Sequence, residues 1–158
     1  MSDFKRLWAP WRIKFVAQGP TRGCFFCRAK RSKEDRRNYV IVRGTAAFVI
    51  LNRYPYNNGH VMIVPYRHIG KLTLLSPAEW MECLQLSQRL SRRLARVLSP
   101  QGFNFGMNLG RVAGAGVVGH LHLHLVPRWH GDTNFMPVLT RTRVMAQSLD
   151  ELYRLLVE

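Results

Sequence analysis

Apolar residues along the chain recur with two different periods, and the change of period marks where one kind of element gives way to another. Tyr39 to Val42 and Ala46 to Leu51 are short, apolar and rich in β-branched residues, which predicts two strands. The stretch NRYPYNNG that follows is dense in turn residues. His60 to Val64 is apolar after its first residue and is closed by Pro65, a third strand. At Ser76 the period lengthens. Ser76 can cap a helix, Pro77 suits its first position, and Glu79 completes a capping box. Met81, Leu84, Leu86, Leu90, Leu94, Val97 and Leu98 then recur at mostly helical spacing, and Arg89, Arg92, Arg93 and Arg96 cover the other side as a solvated face. Pro100 and Gly102 end this helix.

Phe103 to Leu109 predicts a fourth strand, and the glycine-rich loop GRVAGAGVVG follows it. Residues 120–126, HLHLHLV, alternate strictly between histidine and an apolar partner, which is the period of a fifth strand, closed by Pro127. The segment SLDELYRLLVE, with Leu149, Leu152, Leu155 and Leu156, predicts a short amphipathic helix. Strands on both sides of one long helix indicate an α+β fold, with an antiparallel sheet covered on one face. Residues 28–38, RAKRSKEDRRN, are almost wholly polar and predict a solvated loop. Residues 1–20 are basic and aromatic, with Trp8, Trp11 and Phe15, and are expected to form an arm that packs on the body or contacts a substrate or partner. No repeat or linker divides the chain, so residues 1–158 are expected to form one domain.

Composition changes this picture in one respect. Hydrophobic residues at 47% and charged residues at 21% are ordinary for a globular chain and exclude a largely disordered one. The net charge of +15, from 24 Lys and Arg against 9 Asp and Glu, is not ordinary. It favours an anionic partner: nucleotide, nucleic acid or acidic membrane. No stretch approaches the roughly 18 apolar residues of a membrane span. Lys5, Arg6, Pro10, Arg12 and Lys14 interrupt what would be the apolar region of a signal peptide. The three cysteines are an odd number, which suits a reducing compartment, so a cytoplasmic protein is expected.

The candidate chemistry lies mainly in the histidines. His120, His122 and His124 share one face of a strand, with neighbours starting roughly 6.6 Å apart. Imidazole can ligate metal, attack phosphorus or donate a proton near neutral pH. The glycine-rich loop before the row offers backbone N–H groups to phosphate oxygens. Cys24-x-x-Cys27 has the spacing of half a structural zinc site, whose remaining ligands would come from His68 and one triad histidine. A redox pair and two unmetallated thiols are the other readings. Cys83 falls inside the long helix as a core residue. Arg53, Arg67, Arg111 and Arg128 flank these segments as candidate substrate contacts, and Trp129 is placed to shield the site, stack on a base or pack in the core.

These residues resemble the histidine-triad (HIT) family, whose motif His-φ-His-φ-His-φ-φ, with φ apolar, is matched by residues 120–126. The likeness extends to LNRYPYNNGHVMIVPYRH (51–68) and NLGRVAGAG (108–116). LWAPWR, CFFC and PRWHGDTNFMP are similar to the bacterial branch that includes dinucleoside polyphosphate phosphorylases. The resemblance implies a HIT-like fold of about five strands and a homodimer with the sheet continued across its interface. It implies that His122 attacks the α-phosphorus to form a nucleotidyl-histidine, with His124 beside the phosphates and His60 completing the site. It implies further that Asn52 binds the ribose, that Asn108 lies at the phosphate loop, and that Cys24, Cys27, His68 and His120 hold a structural zinc. One departure concerns Gly116, followed by Val117 and Val118, where many relatives carry Ser or Gln. A phosphate contact there must come from backbone N–H groups.

A neutral His122 needs its other ring nitrogen held, and a backbone carbonyl is expected in that role because no carboxylate lies nearby in sequence. Water resolving the intermediate makes a hydrolase, and inorganic phosphate makes a phosphorylase. A nucleoside phosphoramidate hydrolase is the nearest rival. A basic zinc module binding nucleic acid is another, although Cys27 and His68 are too far apart in sequence for a finger. A third is an interaction protein whose triad senses a nucleotide without turnover.

Overall fold

The apolar runs do form strands, because the central ones, Ala47–Leu51 and Val61–Pro65 among them, bury one face against helices and the other against an aromatic cluster. The computed structural model describes residues 23–133 and 145–157. The arm of residues 1–20 and the end of the segment following the triad lie outside the described residues. The strands are β1 (Val40–Arg43), β2 (Ala47–Leu51), β3 (Val61–Pro65), β4 (Gly102–Met107) and β5 (Leu123–Arg128). They make a five-stranded antiparallel sheet in the order β1-β2-β3-β5-β4.

The long helix spans Pro77–Leu98 and the terminal one Leu149–Val157; preceding the sheet are two short helices, α1 (Phe25–Arg31) and α2 (Asp35–Asn38). The long helix is α3 and the terminal helix α4. Both cover one face of the sheet, where Val49, Leu51, Ile63 and Leu123 meet Leu90, Leu94, Leu152 and Leu156. On the other face Phe26 and Ala29 of α1 pack with Phe48, Ile50, Met62 and Val64. No described helix is long and apolar enough to cross a membrane.

The capping box at Ser76 is present as expected: Glu79 N–H donates to Ser76 Oγ and Ser76 N–H to Glu79 Oε2, at 3.3 and 2.9 Å. Arg67 adds a bidentate pair, both bonds 2.6 Å, which holds the Glu79 carboxyl down at about 2. The buried face of α3 is rotated from the predicted one. Cys83, Leu86, Ser87, Leu90 and Leu94 face the sheet, whereas Met81 is 56% exposed. The i, i+3, i+4 rows that include Cys83 and Ser87 outweigh Met81 and Leu84, because small residues allow the helix to approach the sheet closely. One turn below the cap, Glu82 accepts the N–H groups of Thr45 and Ala46 in the β1–β2 turn.

Residues 28–38 do not form the solvated loop predicted; they contain most of α1 and all of α2. Phe26 and Ala29 are the buried residues of α1, a stripe too narrow to register as a period beside so many charges. Arg43 secures this segment, pairing with Asp35 and donating to the carbonyls of Ala29, Lys30 and Ser32. The fifth strand is also shifted. It starts at Leu123 rather than His120 and runs through Pro127 to Arg128. Leu121 N–H donates to Ile69 O, taking the first histidines out of the β3 ladder. Pro127 is tolerated because β5 has by then passed its last β3 partner, Val61, which pairs with Leu125. β4 ends at Met107, two residues early, where the chain turns into the glycine-rich loop.

Candidate active site

His124 lies on β5 opposite Met62 of β3, on the face away from the long helix. His60 immediately precedes β3 and shares that face. It is delivered there by Gly59, whose φ is +75° and at which a Cβ would lie 2.7 Å from Leu98 Cδ1 and 2.8 Å from Pro127 Cγ. Only glycine fits this turn.

Hydrogen bonds assign the tautomers. Tyr56 N–H donates to His60 Nδ1 at 3.0 Å, so the His60 proton is on Nε2, which lies 2.8 Å from His124 Nδ1. His124 therefore accepts at Nδ1 when neutral. His60 is buried and faces two other imidazoles, and desolvation first, then repulsion from His124 and His122, depresses its pKa to about 3. His122 Nδ1–H donates to His120 O at 2.9 Å, the backbone carbonyl that was expected, leaving the lone pair on Nε2. Burial lowers the His122 pKa as well and keeps that lone pair unprotonated. The rings of His122 and His124 meet edge to face with centroids 4.9 Å apart.

His120 turns toward the cysteine pair. Its Nε2–H donates to Pro65 O at 2.8 Å, and its Nδ1 lies 3.3 Å from Cys24 Sγ and 3.6 Å from Cys27 Sγ. His68 Nδ1 is 3.3 Å from Cys27 Sγ. The four donor atoms lie within 4.8 Å of one another. Two thiols and two imidazoles around a tetrahedral zinc would be spaced about 3.5 Å from sulfur to nitrogen, given metal–ligand bonds of about 2.3 and 2.0 Å. The donor set fits the metal, and the Pro65 carbonyl is the outer partner that fixes a ligand histidine's tautomer. A set of four protein donors leaves no open position, the mark of a structural site. Cys83, by contrast, is buried in the core and its thiol is pushed up to about 12.

Asn52 is half-buried just after β2, with Nδ2 3.3 Å from His60 Nδ1 and Oδ1 accepting Tyr54 N–H. Asn108 follows β4 and donates to Tyr56 Oη at 3.5 Å. Gly116 is exposed in the loop that leads into the triad. Three of the flanking arginines are engaged elsewhere: Arg67 with Glu79, Arg128 with Asp132 and Asn104, and Arg53 with the Arg37 carbonyl. Arg111 is exposed in the loop. The Trp129 indole N–H donates to Leu98 O, so this residue packs against the end of α3.

Two residues at the site escaped the sequence reading. Tyr56, hidden in a stretch that signals only turns, lies 4.6 Å from the His60 ring and 5.6 Å from that of His124. Phe26, between the two cysteines, lies 5.3 Å from His120 and 5.0 Å from His122. An aromatic inside CFFC was the available signal for the second.

Residues 33–131 match the HIT domain family model. An AP-4-A phosphorylase of Mycobacterium tuberculosis is 38% identical over 98% of this chain and 83% of its own length. An asymmetrical bis(5'-nucleosyl)-tetraphosphatase of Schizosaccharomyces pombe is 33% identical over 56% of this chain and 47% of its own. Among solved structures, a zinc-bound histidine triad family protein from Mycobacterium smegmatis superposes with a TM-score of 0.68 at 29% identity, covering 85% of this chain and 91% of that one.

Proposed function

The chain belongs to the HIT-domain family, and on that premise we propose that it cleaves dinucleoside polyphosphates at the α-phosphate through a nucleotidyl-histidine. The observation that carries this reading is the His122 Nδ1–H bond to the His120 carbonyl, which leaves the Nε2 lone pair available. That lone pair attacks the α-phosphorus. A P–N bond forms, the P–O bond to the remaining polyphosphate breaks, and the leaving oxygen carries the displaced electron pair. His124, accepting at Nδ1 from His60, presents its Nε2–H to the phosphates. Inorganic phosphate or water then attacks the same phosphorus, the P–N bond breaks, and His122 Nε2 recovers its lone pair. Splitting the displacement in two leaves the protein mainly positioning and charge stabilisation to supply.

Asn52 and Asn108 flank the His60–Tyr56 edge of the site and suit the ribose and phosphate contacts. The 38% identity to an AP-4-A phosphorylase favours phosphate as the acceptor. Cys24, Cys27, His68 and His120 would hold zinc, which when bound cross-links α1 to the triad. A homodimer accords with β4, one of the two outer strands of the sheet, whose central residues Asn104, Phe105 and Gly106 are exposed. The three free cysteines suit the cytoplasm.

Mass spectrometry of products from diadenosine tetraphosphate, with and without inorganic phosphate and beside His122→Ala, tests the reading. ADP plus ATP formed only with phosphate establishes a phosphorylase, and AMP plus ATP without it a hydrolase. No cleavage, or cleavage by His122→Ala at the wild-type rate, overturns the reading.

A further inference from the structure

A nucleophilic imidazole held by one hydrogen bond still rotates about its side-chain torsions, so something must wall its faces. Phe26 does so for His122. Its ring is 1% exposed, 5.0 Å from the His122 ring and 5.3 Å from that of His120. A ring so covered has no surface to offer a nucleotide; its contacts are to the two histidines, Phe25 and the sheet face around Met62 and Val64.

The helix that carries Phe26 has seven residues, too few to be stable alone. Its position is therefore set by its anchors: the burial of Phe26 and Ala29, the grip of Arg43 on its last carbonyls, and Cys24 and Cys27 beside His120 and His68. The two cysteines bracket Phe26 directly. His120 in turn offers Nδ1 to the cluster and its main-chain carbonyl to His122. The metal cluster thus reaches the nucleophile by two short routes, one through a ring and one through a peptide.

We propose that Phe26 is a positioning residue for His122, and that the Cys24–Cys27 metal site sets the nucleophile's tautomer and orientation through Phe26 and the His120 carbonyl. The inference rests on the reading of His122 as nucleophile, but its first test does not depend on turnover.

In zinc-loaded protein with nitrogen-15 in the histidine rings, the His122 signals report a single Nδ1–H tautomer. Phe26→Ala still binds about one zinc per chain by elemental analysis, yet shows a mixture of tautomers. Its rate of nucleotidyl-histidine formation falls about tenfold while KM moves less than about twofold. Phe26→Leu keeps the core filled, so it folds even where the alanine variant does not, and it recovers most of the rate with an intermediate tautomer mixture. Stripping zinc from the wild type with a chelator moves the same ring signals in the same direction. A single unshifted tautomer in both variants at full zinc occupancy overturns the role of Phe26. Ring signals indifferent to zinc removal overturn the coupling. Absence of turnover in the wild type sinks the functional reading alone, since the ring signals still decide the positioning.

Discussion

His60 Nε2 lies 2.8 Å from His124 Nδ1, and the direction of that hydrogen bond is set by a main-chain N–H four residues before His60. Because Tyr56 N–H occupies His60 Nδ1, the His60 proton can reside only on Nε2, and His124 is held as an acceptor on that side. A turn of the backbone thereby decides which nitrogen of His124 carries the proton. Replacing His60 with alanine should lower kcat by about 10- to 100-fold with a smaller effect on KM, the pattern expected when a proton donor loses its orientation. Steady-state kinetics on diadenosine tetraphosphate provide the check.

The same histidine makes stability depend on pH. The folded pKa of about 3 lies below the ordinary 6.5, so below pH 6.5 the unfolded chain takes up a proton that the folded chain refuses. The contribution is complete above pH 6.5 and is lost progressively between there and about 3. Denaturant unfolding of wild type and His60→Asn at pH 7, 5.5 and 4.5 should show the wild type losing about 1 kcal/mol more per pH unit. Parallel curves would contradict a buried neutral His60.

Removal of the proposed nucleophile has a covalent readout. His122→Ala should yield no nucleotidylated protein after acid-free quenching, and turnover should drop by at least about a thousandfold. His124→Ala should still form the adduct, more slowly.

For the metal cluster, Cys27→Ser or exhaustive chelation should reduce zinc from about one per chain to none and lower the unfolding temperature by roughly 10 °C. Elemental analysis and thermal melts read both quantities on the same samples. A melt unchanged by zinc removal would deny the cluster its structural role.

Glu79 gives a prediction remote from the site. Its carboxyl, held at about 2 by Arg67 and the Ser76 cap, adds stability that is complete above pH 4.5 and disappears as pH falls toward 2. Glu79→Gln should cost about 1 kcal/mol at neutral pH, and the two proteins should converge in acid. Arg67 is half exposed, which keeps the ion-pair share of that figure small.

Much of the site was legible in the sequence because its chemistry lies in one strictly alternating segment, HLHLHLV, and a nearby Gly-His turn. The capping box at Ser76 was equally plain. Less legible was where each histidine would point. His120 departs from the ladder because Leu121 N–H finds Ile69 O, a contact between segments far apart in sequence. The helix at Phe25–Arg31 was invisible since its stability comes from Arg43 and the aromatic cluster, not from its own periodicity. Arg67 and Arg128 looked available to substrate, but Glu79, delivered by the start of the long helix, engages the first, and Asp132, four residues on across the turn after β5, engages the second. Phe26 and Tyr56 were missed for a related reason: an aromatic outside any periodic run acquires a role only when a ring arrives beside it.

The carboxylate of Glu82, on the long helix, completes the β1–β2 turn by accepting from Thr45 and Ala46, residues 37 and 36 positions away. The turn's own bond, Gly44 N–H to Ala47 O, leaves those two amides unserved. The hairpin tip is thus finished only when the helix lies across the sheet. These two amides should exchange with solvent more slowly than amides of an unserved turn, and Glu82→Ala should remove that protection.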